Sequence, residues 1–274
     1  MTVLVSVEAL AAELADENPP RVLDVRWALA QPDGRDEFAA GHVPGAVYVD
    51  LETELSTHGD PTEGRHPLPT RERLEQAARA WGVNDDDRVV VVDGGPSFGA
   101  ARAWWLLRHA DLDVRILDGG YAAWVAAGQL VEAGVVTPTA GAVSLGWGVM
   151  GVIDADEAAT YDGLLLDARA GERYRGEVEP MDPVAGHIPG AVNAPTSENS
   201  QPDGRFLPPE ALAARFTGLG AQAGMTAVYC GSGVTAAHQI AAMEIAGIAD
   251  VALYPGSWSA WSHQGRPVAT GPTP

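Results

Sequence analysis

Cys230 is the single cysteine in 274 residues. It lies in the stretch Ala227-Val228-Tyr229-Cys230-Gly231-Ser232-Gly233-Val234-Thr235-Ala236-Ala237. An apolar strand-type run feeds a glycine-punctuated turn, and an alanine-rich segment of helical composition follows. Successive backbone N–H groups in such a turn make an anion-binding concavity, and the start of a helix adds its positive dipole end. A thiol in this setting ionises more readily than a free cysteine, because the donors stabilise the thiolate. The amides of Gly231, Ser232, Gly233, Val234 and Thr235, with the hydroxyls of Ser232 and Thr235, form the candidate cradle. The structural alternative is a buried cysteine that merely packs at a strand end. Two glycines within three residues, followed by hydroxyls and a helix start, favour the reactive thiol.

A thiolate in an anion-cradling loop is also the equipment of a cysteine phosphatase. That chemistry needs an arginine six residues beyond the cysteine to hold the phosphate; position 230 + 6 is Ala236. The neutral loop suits a phosphate dianion poorly, so phosphatase chemistry is set aside. A second rival is a protein that binds a partner or relays sulfur without catalysis, and the intact Cys230 loop argues against it.

The rest of the chain bounds the setting. Its length allows two ordinary domains or one large one, and 46% hydrophobic content supports packed cores. No run approaches the roughly 20 apolar residues of a membrane span, and Met1-Thr2-Val3-Leu4-Val5-Ser6 lacks the pattern of a signal peptide. A lone cysteine permits no internal disulfide and fits a reducing compartment, so the expected location is cytoplasmic. With 17 basic against 37 acidic residues the net charge is −20, which repels nucleic-acid phosphates and anionic lipid. Neither nucleic acid nor membrane is an expected partner. No clustered Cys/His spacing suggests a metal, and no cofactor is expected. His66, His238 and His263 have no partner at a telling spacing and read as ordinary residues.

Strand-type and helix-type patterns alternate along the chain. Ser6 to Asn18 reads as a helix capped by Ser6 and ended by Pro19-Pro20. Arg21 to Arg26, Arg88 to Asp93 and Val114 to Leu117 read as strands, Arg71 to Trp81 and Gly99 to His109 as helices, and residues 51 to 69 mostly as loop. The same order then recurs. Leu164-Leu165-Leu166-Asp167-Ala168-Arg169 echoes Leu23-Asp24-Val25-Arg26, and Gly186-His187-Ile188-Pro189-Gly190-Ala191 echoes Gly41-His42-Val43-Pro44-Gly45-Ala46. Ser257-Trp258-Ser259-Ala260-Trp261 echoes Gly120-Tyr121-Ala122-Ala123-Trp124, and there the offset is constant: 230 − 93 = 137 and 261 − 124 = 137. Such a period marks a duplicated domain. The expected division is residues 1–140, a linker at 141–150, and 151–274, each half an α/β domain with a mainly parallel sheet flanked by helices. Asp93 occupies the place of Cys230 in the first half, so one half only carries the thiol. Thr270 to Pro274 is expected to be a frayed tail.

The paired Gly-His-[Val/Ile]-Pro-Gly-Ala motifs, the Asp-x-Arg strand ends and the Cys-Gly-Ser-Gly-Val-Thr-Ala loop together resemble the tandem-domain rhodanese-type sulfurtransferases over essentially the whole chain. That resemblance implies two tandem rhodanese-like domains, and a ping-pong reaction in which Cys230 takes sulfur from a donor as a persulfide. The persulfide would then pass its sulfur to cyanide, a small thiol or a protein thiol such as thioredoxin. The neutral Gly231-Ser232 sequence after the cysteine is similar to the enzymes that use 3-mercaptopyruvate; thiosulfate is the alternative donor. Arg173 matches the first arginine of the family's carboxylate-binding pair. Met181 stands where the second would be, with Arg175 or Arg169 as candidates to compensate. The resemblance also implies a Ser232–His42–Asp33 group for proton handling, although His42 and Asp33 can equally be turn residues. Asp167 and Arg169 are expected to organise the strand end beneath the loop, with Trp258 and Trp261 in the core or at the pocket rim.

Overall fold

The computed structural model describes residues 2–274. Two compact units emerge, and neither is continuous in sequence. The first holds residues up to Ser56, then Pro69–Val149 and Gln201–Phe206; the second holds Thr57–Leu68, Met150–Ser200 and Leu207–Pro274. The expected division at 141–150 therefore omits two excursions, residues 57–68 and 201–206, each of which packs in the other half's unit. Hydrophobic periodicity marks neither excursion, because both are short and polar.

In the first unit, β1 (Leu4–Val5), α1 (Val7–Leu14), β2 (Arg21–Asp24), α2 (Arg35–Ala40) and β3 (Val47–Tyr48) precede α3 (Arg71–Ala80), β4 (Val89–Val92), α4 (Phe98–His109), β5 (Val114–Leu117) and α5 (Gly120–Ala126). The five strands are parallel in the order β1-β5-β4-β2-β3. The four valines of β4 are all fully buried, as expected of a central strand covered on both faces. Ser6 caps α1 by accepting from the Ala9 amide at 3.2 Å. That helix stops at Leu14 rather than Asn18, because Asp16-Glu17-Asn18 adds no apolar face to bury before the two prolines.

The second unit runs α6 (Ala155–Ala159), β6 (Leu164–Asp167), α7 (Gly171–Tyr174), β7 (Val192–Asn193), α8 (Pro209–Gly218), β8 (Thr226–Tyr229), α9 (Val234–Ile245), β9 (Ala252–Leu253) and α10 (Ser257–His263). Its parallel strands lie in the order β7-β6-β8-β9, and a parallel bridge from Val152 to Leu253 extends the β9 edge. Reading β3-β2-β4-β5 beside β7-β6-β8-β9 shows that the sequence repeat is a repeat of topology. A capping box at Asp154 and Glu157 starts α6, satisfying amides at both ends of the first turn. The C-terminal residues are tied further than expected: Ala269 pairs with His187, and the Gly271 amide donates to Arg175 O at 2.9 Å.

Each unit centres on a helix that follows the middle strand. α9 is buried at nine positions, among them His238 and Gln239, and α4 is buried at ten. Such a helix can be apolar nearly all round only because it is covered on several sides. The loop between β8 and α9 is the stretch that carries Cys230.

Candidate active site

Strand β8 is buried at all four residues and delivers Cys230 to its carboxyl end. In open α/β sheets ligands bind beyond the carboxyl ends of the strands. The turn that follows needs a left-handed residue, which Gly233 supplies at φ +80°. From there the Gly233 amide donates to Cys230 Sγ at 3.1 Å, and α9 begins one residue later. The first amides of a helix lack intrahelical partners, so the sulfur has the Gly233 amide as its donor and lies at the start of α9. Cys230 is 1% exposed. A group that reaches it must therefore be slender.

The opposite side of the loop is held by the start of α10. Trp258 N–H donates to Cys230 O at 3.0 Å, and Ser259 N–H to Gly231 O at 2.9 Å. Cys230 N–H donates to Ser257 Oγ at 3.1 Å, and that hydroxyl donates to Tyr254 O at 2.9 Å. Beneath the loop, Arg169 is locked onto Asp167 at 2.6 Å and lies 4.5 Å from the Trp258 ring centre. Trp258 is fully buried and donates to Val184 O at 2.9 Å. Asp167 and Arg169 thus form the expected strand-end support, and Trp258 is core.

Ser232 shares a hydrogen bond of 2.7 Å with His66 Nδ1, and both are buried. This corrects two sequence expectations: His66 is not an ordinary residue, and the histidine at Ser232 is not His42. His42 is fully buried in the first unit, where Nδ1 donates to Phe38 O at 2.9 Å and the ring stacks on Phe38 at 4.0 Å. His187, its repeat partner, does the same with Tyr174 O at 2.8 Å and the Tyr174 ring at 3.7 Å. Both histidines close a helix-to-turn junction. Asp33 is exposed and accepts from Arg35 N at 3.1 Å, a turn at the start of α2. Its carboxyl is held below the usual range chiefly by that amide.

Arg173 lies on α7 beside the loop, as its motif position implies. A β-carbon built on Gly231 would lie 3.5 Å from Arg173 Nη1 and 3.2 Å from Arg65 Nη2. Two guanidinium groups therefore converge on the residue after Cys230. Arg173 is fixed by Glu179 at 2.6 and 3.2 Å. Asp182 joins the two arginines, accepting from Arg65 Nη1 through Oδ1 and from Arg173 through Oδ2 at 3.4 Å. Glu179 also accepts from Arg169 at 3.3 Å. The three carboxylates are almost wholly buried, whereas the Arg65 and Arg173 side chains stay 25% and 17% exposed. The cluster balances its charges, three arginines against three carboxylates, but it buries the acids and leaves the guanidinium groups of Arg65 and Arg173 at the edge.

The second guanidinium is thus neither Arg175, which pairs with Glu177 near the surface at 2.8 Å, nor Arg169. Met181, in the place of an expected arginine, is 43% exposed. Arg65 and His66 arrive together on residues 57–68, where the sequence shows only polar, Pro/Gly-rich loop. The available signal was their adjacency, a basic pair inside an otherwise acidic stretch. A turn at Pro61–Glu63 packs this segment on α10: Gln264 Nε2 donates to Thr62 O at 2.8 Å. Between them opens a cleft of about 360 Å³ lined by His58, Arg65, Met181, Ser259 and His263 among others.

The first unit repeats the loop with a different occupant. Asp93 accepts from the amides of Gly95 at 3.0 Å, Ser97 at 3.1 Å and Ala100 at 3.4 Å. Burial pushes its carboxyl above the ordinary range while those amides oppose the shift. The amide cradle there is filled by the protein's own carboxylate. Among the described residues no group of His, Cys, Asp or Glu is placed to hold a metal, and no helix is long and apolar enough to cross a membrane.

Comparison with known proteins agrees with this architecture. The rhodanese-like domain matches residues 6–127 and again 152–264. A Mycobacterium tuberculosis relative, provisionally named as the thiosulfate sulfurtransferase SseB, is 46% identical over 98% of this chain and 97% of its own. A Pseudomonas aeruginosa relative named "Probable 3-mercaptopyruvate sulfurtransferase" is 45% identical over 98% of both chains. The crystal structure of SseA from Escherichia coli, a 3-mercaptopyruvate sulfurtransferase, superposes with a TM-score of 0.83 at 34% identity, over 94% of this chain and 99% of that one. With two matched domains and relatives of this identity and coverage, the chain belongs to the rhodanese-like family, as a two-domain sulfurtransferase.

Proposed function

We propose that the protein transfers sulfur from 3-mercaptopyruvate to a thiol or to cyanide by a ping-pong route through a persulfide on Cys230. The observation that carries the donor assignment is the convergence of Arg65 and Arg173 on Gly231, one residue from the thiol. A planar guanidinium can give two parallel hydrogen bonds to a carboxylate. In this reading the pair grips the donor's carboxylate and places its sulfur at Cys230 Sγ.

The Cys230 thiolate attacks the donor sulfur. The new S–S bond forms as the C–S bond breaks, and the electron pair of that bond passes to carbon as the enolate of pyruvate. Protonation of the enolate carbon releases pyruvate. Ser232 and His66, hydrogen-bonded at 2.7 Å, handle the proton, and the positioned donors of the loop hold the negative sulfur. In the second half-reaction the acceptor nucleophile bonds to the outer sulfur, the S–S bond breaks, and its electron pair returns to Cys230 as thiolate.

The name of the M. tuberculosis relative favours thiosulfate as donor, with sulfite leaving in place of pyruvate. Steady-state turnover with each donor, at a fixed cyanide concentration, separates the two. Mercaptopyruvate is expected to give the higher kcat/KM. A clear preference for thiosulfate overturns the donor assignment and leaves the persulfide chemistry standing.

A further inference from the structure

We propose that Ser257 is a positioning residue that aims the peptide groups of the Cys230 loop; the proposal rests on Cys230 being the nucleophile. Ser257 has φ +53°, one of four residues other than glycine with positive φ among those described. Its repeat partner, at 257 − 137 = 120, is Gly120 with φ +59°, the residue type that adopts this conformation without steric cost. The second unit therefore keeps a strained serine where the first uses glycine. Strain of this kind persists where surrounding contacts over-determine it.

All but one of those contacts lead to the catalytic loop. The Ser257 hydroxyl is buried, accepts a hydrogen bond from the Cys230 N–H at 3.1 Å and donates one to Tyr254 O at 2.9 Å. The left-handed turn at Ser257 also directs the next two amides at the loop, Trp258 N–H onto Cys230 O and Ser259 N–H onto Gly231 O. In a trans peptide the N–H points opposite to the C=O, and the chain has no cis bond among the described residues. Pinning the carbonyls of Cys230 and Gly231 toward α10 therefore turns the amides of Gly231 and Ser232 away from it. In the first unit, Tyr121 N–H holds Asp93 O at 2.8 Å in the same way, but Gly120 has no hydroxyl to take the Asp93 amide. The serine adds one restraint to the loop that bears the thiol and none to the loop that lacks it.

The test uses the full-length protein and two variants, Ser257→Gly and Ser257→Ala. Glycine keeps the left-handed backbone and loses the hydroxyl; alanine loses the hydroxyl and keeps the strain. Melting temperature, the pH profile of Cys230 alkylation by iodoacetamide, and the single-turnover rate of persulfide formation are measured for each. The glycine variant is expected to melt at or above the wild-type temperature. Its alkylation profile moves to higher pH, and persulfide formation slows about tenfold, because a less ordered loop holds a negative sulfur less well. The alanine variant shows the same profile shift with a lower melting temperature. Wild-type profile and rate in both variants overturn the role of Ser257 while leaving the nucleophile in place. Absence of a persulfide on wild-type Cys230 instead removes the reading on which the proposal rests.

Discussion

Asp182→Asn tests the arginine pair at its shared support. The side chain of Asp182 has 0% exposure and accepts from both Arg65 and Arg173. The substitution keeps its shape and removes its charge. A hydrogen bond to a charged group contributes roughly 1.5–3 kcal/mol, and partial screening of the 25%-exposed Arg65 lowers that to about 1–2 kcal/mol. The Arg173 contact at 3.4 Å adds little, because Glu179 still holds that guanidinium at 2.6 Å. Arg65 then regains the rotamers that donor binding must freeze again, at about 0.5–1.5 kcal/mol, equivalent to a roughly 2- to 13-fold rise in KM. Because Cys230, Ser232 and His66 are untouched, kcat is expected to stay near wild type. Urea denaturation reads the stability loss, and initial rates against mercaptopyruvate read KM. An unchanged KM in a variant destabilised by the expected amount would refute the reasoning, by showing that Asp182 serves the fold and not the donor.

Two further outcomes follow from other contacts. His66→Gln and Ser232→Ala are each expected to slow persulfide formation by about 10²- to 10⁴-fold. The double variant should be no slower than the slower single one, since the pair acts as a unit; stopped-flow rates that multiply would separate the two roles. Buried His238, which shares a 2.8 Å hydrogen bond with Thr196, has its imidazole driven down by burial from 6.5 to about 3. The folded value lies below the unfolded one, so its contribution to stability is complete above pH 6.5 and is lost as pH falls toward 3. The loss reaches about 1.4 kcal/mol per pH unit in that window, and urea titrations across it should show a shallower slope for His238→Gln.

The fold was largely readable because its evidence is local. Strand runs such as Val89–Val92, the recurrent Gly-His-x-Pro-Gly-Ala turns and the constant offset of 137 residues place every central element twice. The Cys230 loop was readable for the same reason, since strand end, turn glycine and helix start lie within one short stretch. What escaped was non-local. Ser232 meets His66 across 166 residues and Asp182 meets Arg65 across 117; neither separation leaves a periodic trace. The segment bearing Arg65 and His66 is loop-like in composition, and only its packing on α10 shows that it belongs to the thiol-bearing unit. The His42 motif misled because the same Gly-His pattern, repeated at His187, signals a stacked, carbonyl-bound imidazole in both units. Asp93 shows the converse: the amide cradle survives in the first unit, while its chemistry is replaced by a resident carboxylate.

The most direct measurement is the intact mass of the protein after incubation with mercaptopyruvate and removal of excess donor. The wild-type chain should gain the mass of one sulfur atom, lose it on brief exposure to cyanide, and show none of this as Cys230→Ser. A wild-type mass that never changes, or a gain that survives in the serine variant, would contradict a sulfur-carrying Cys230.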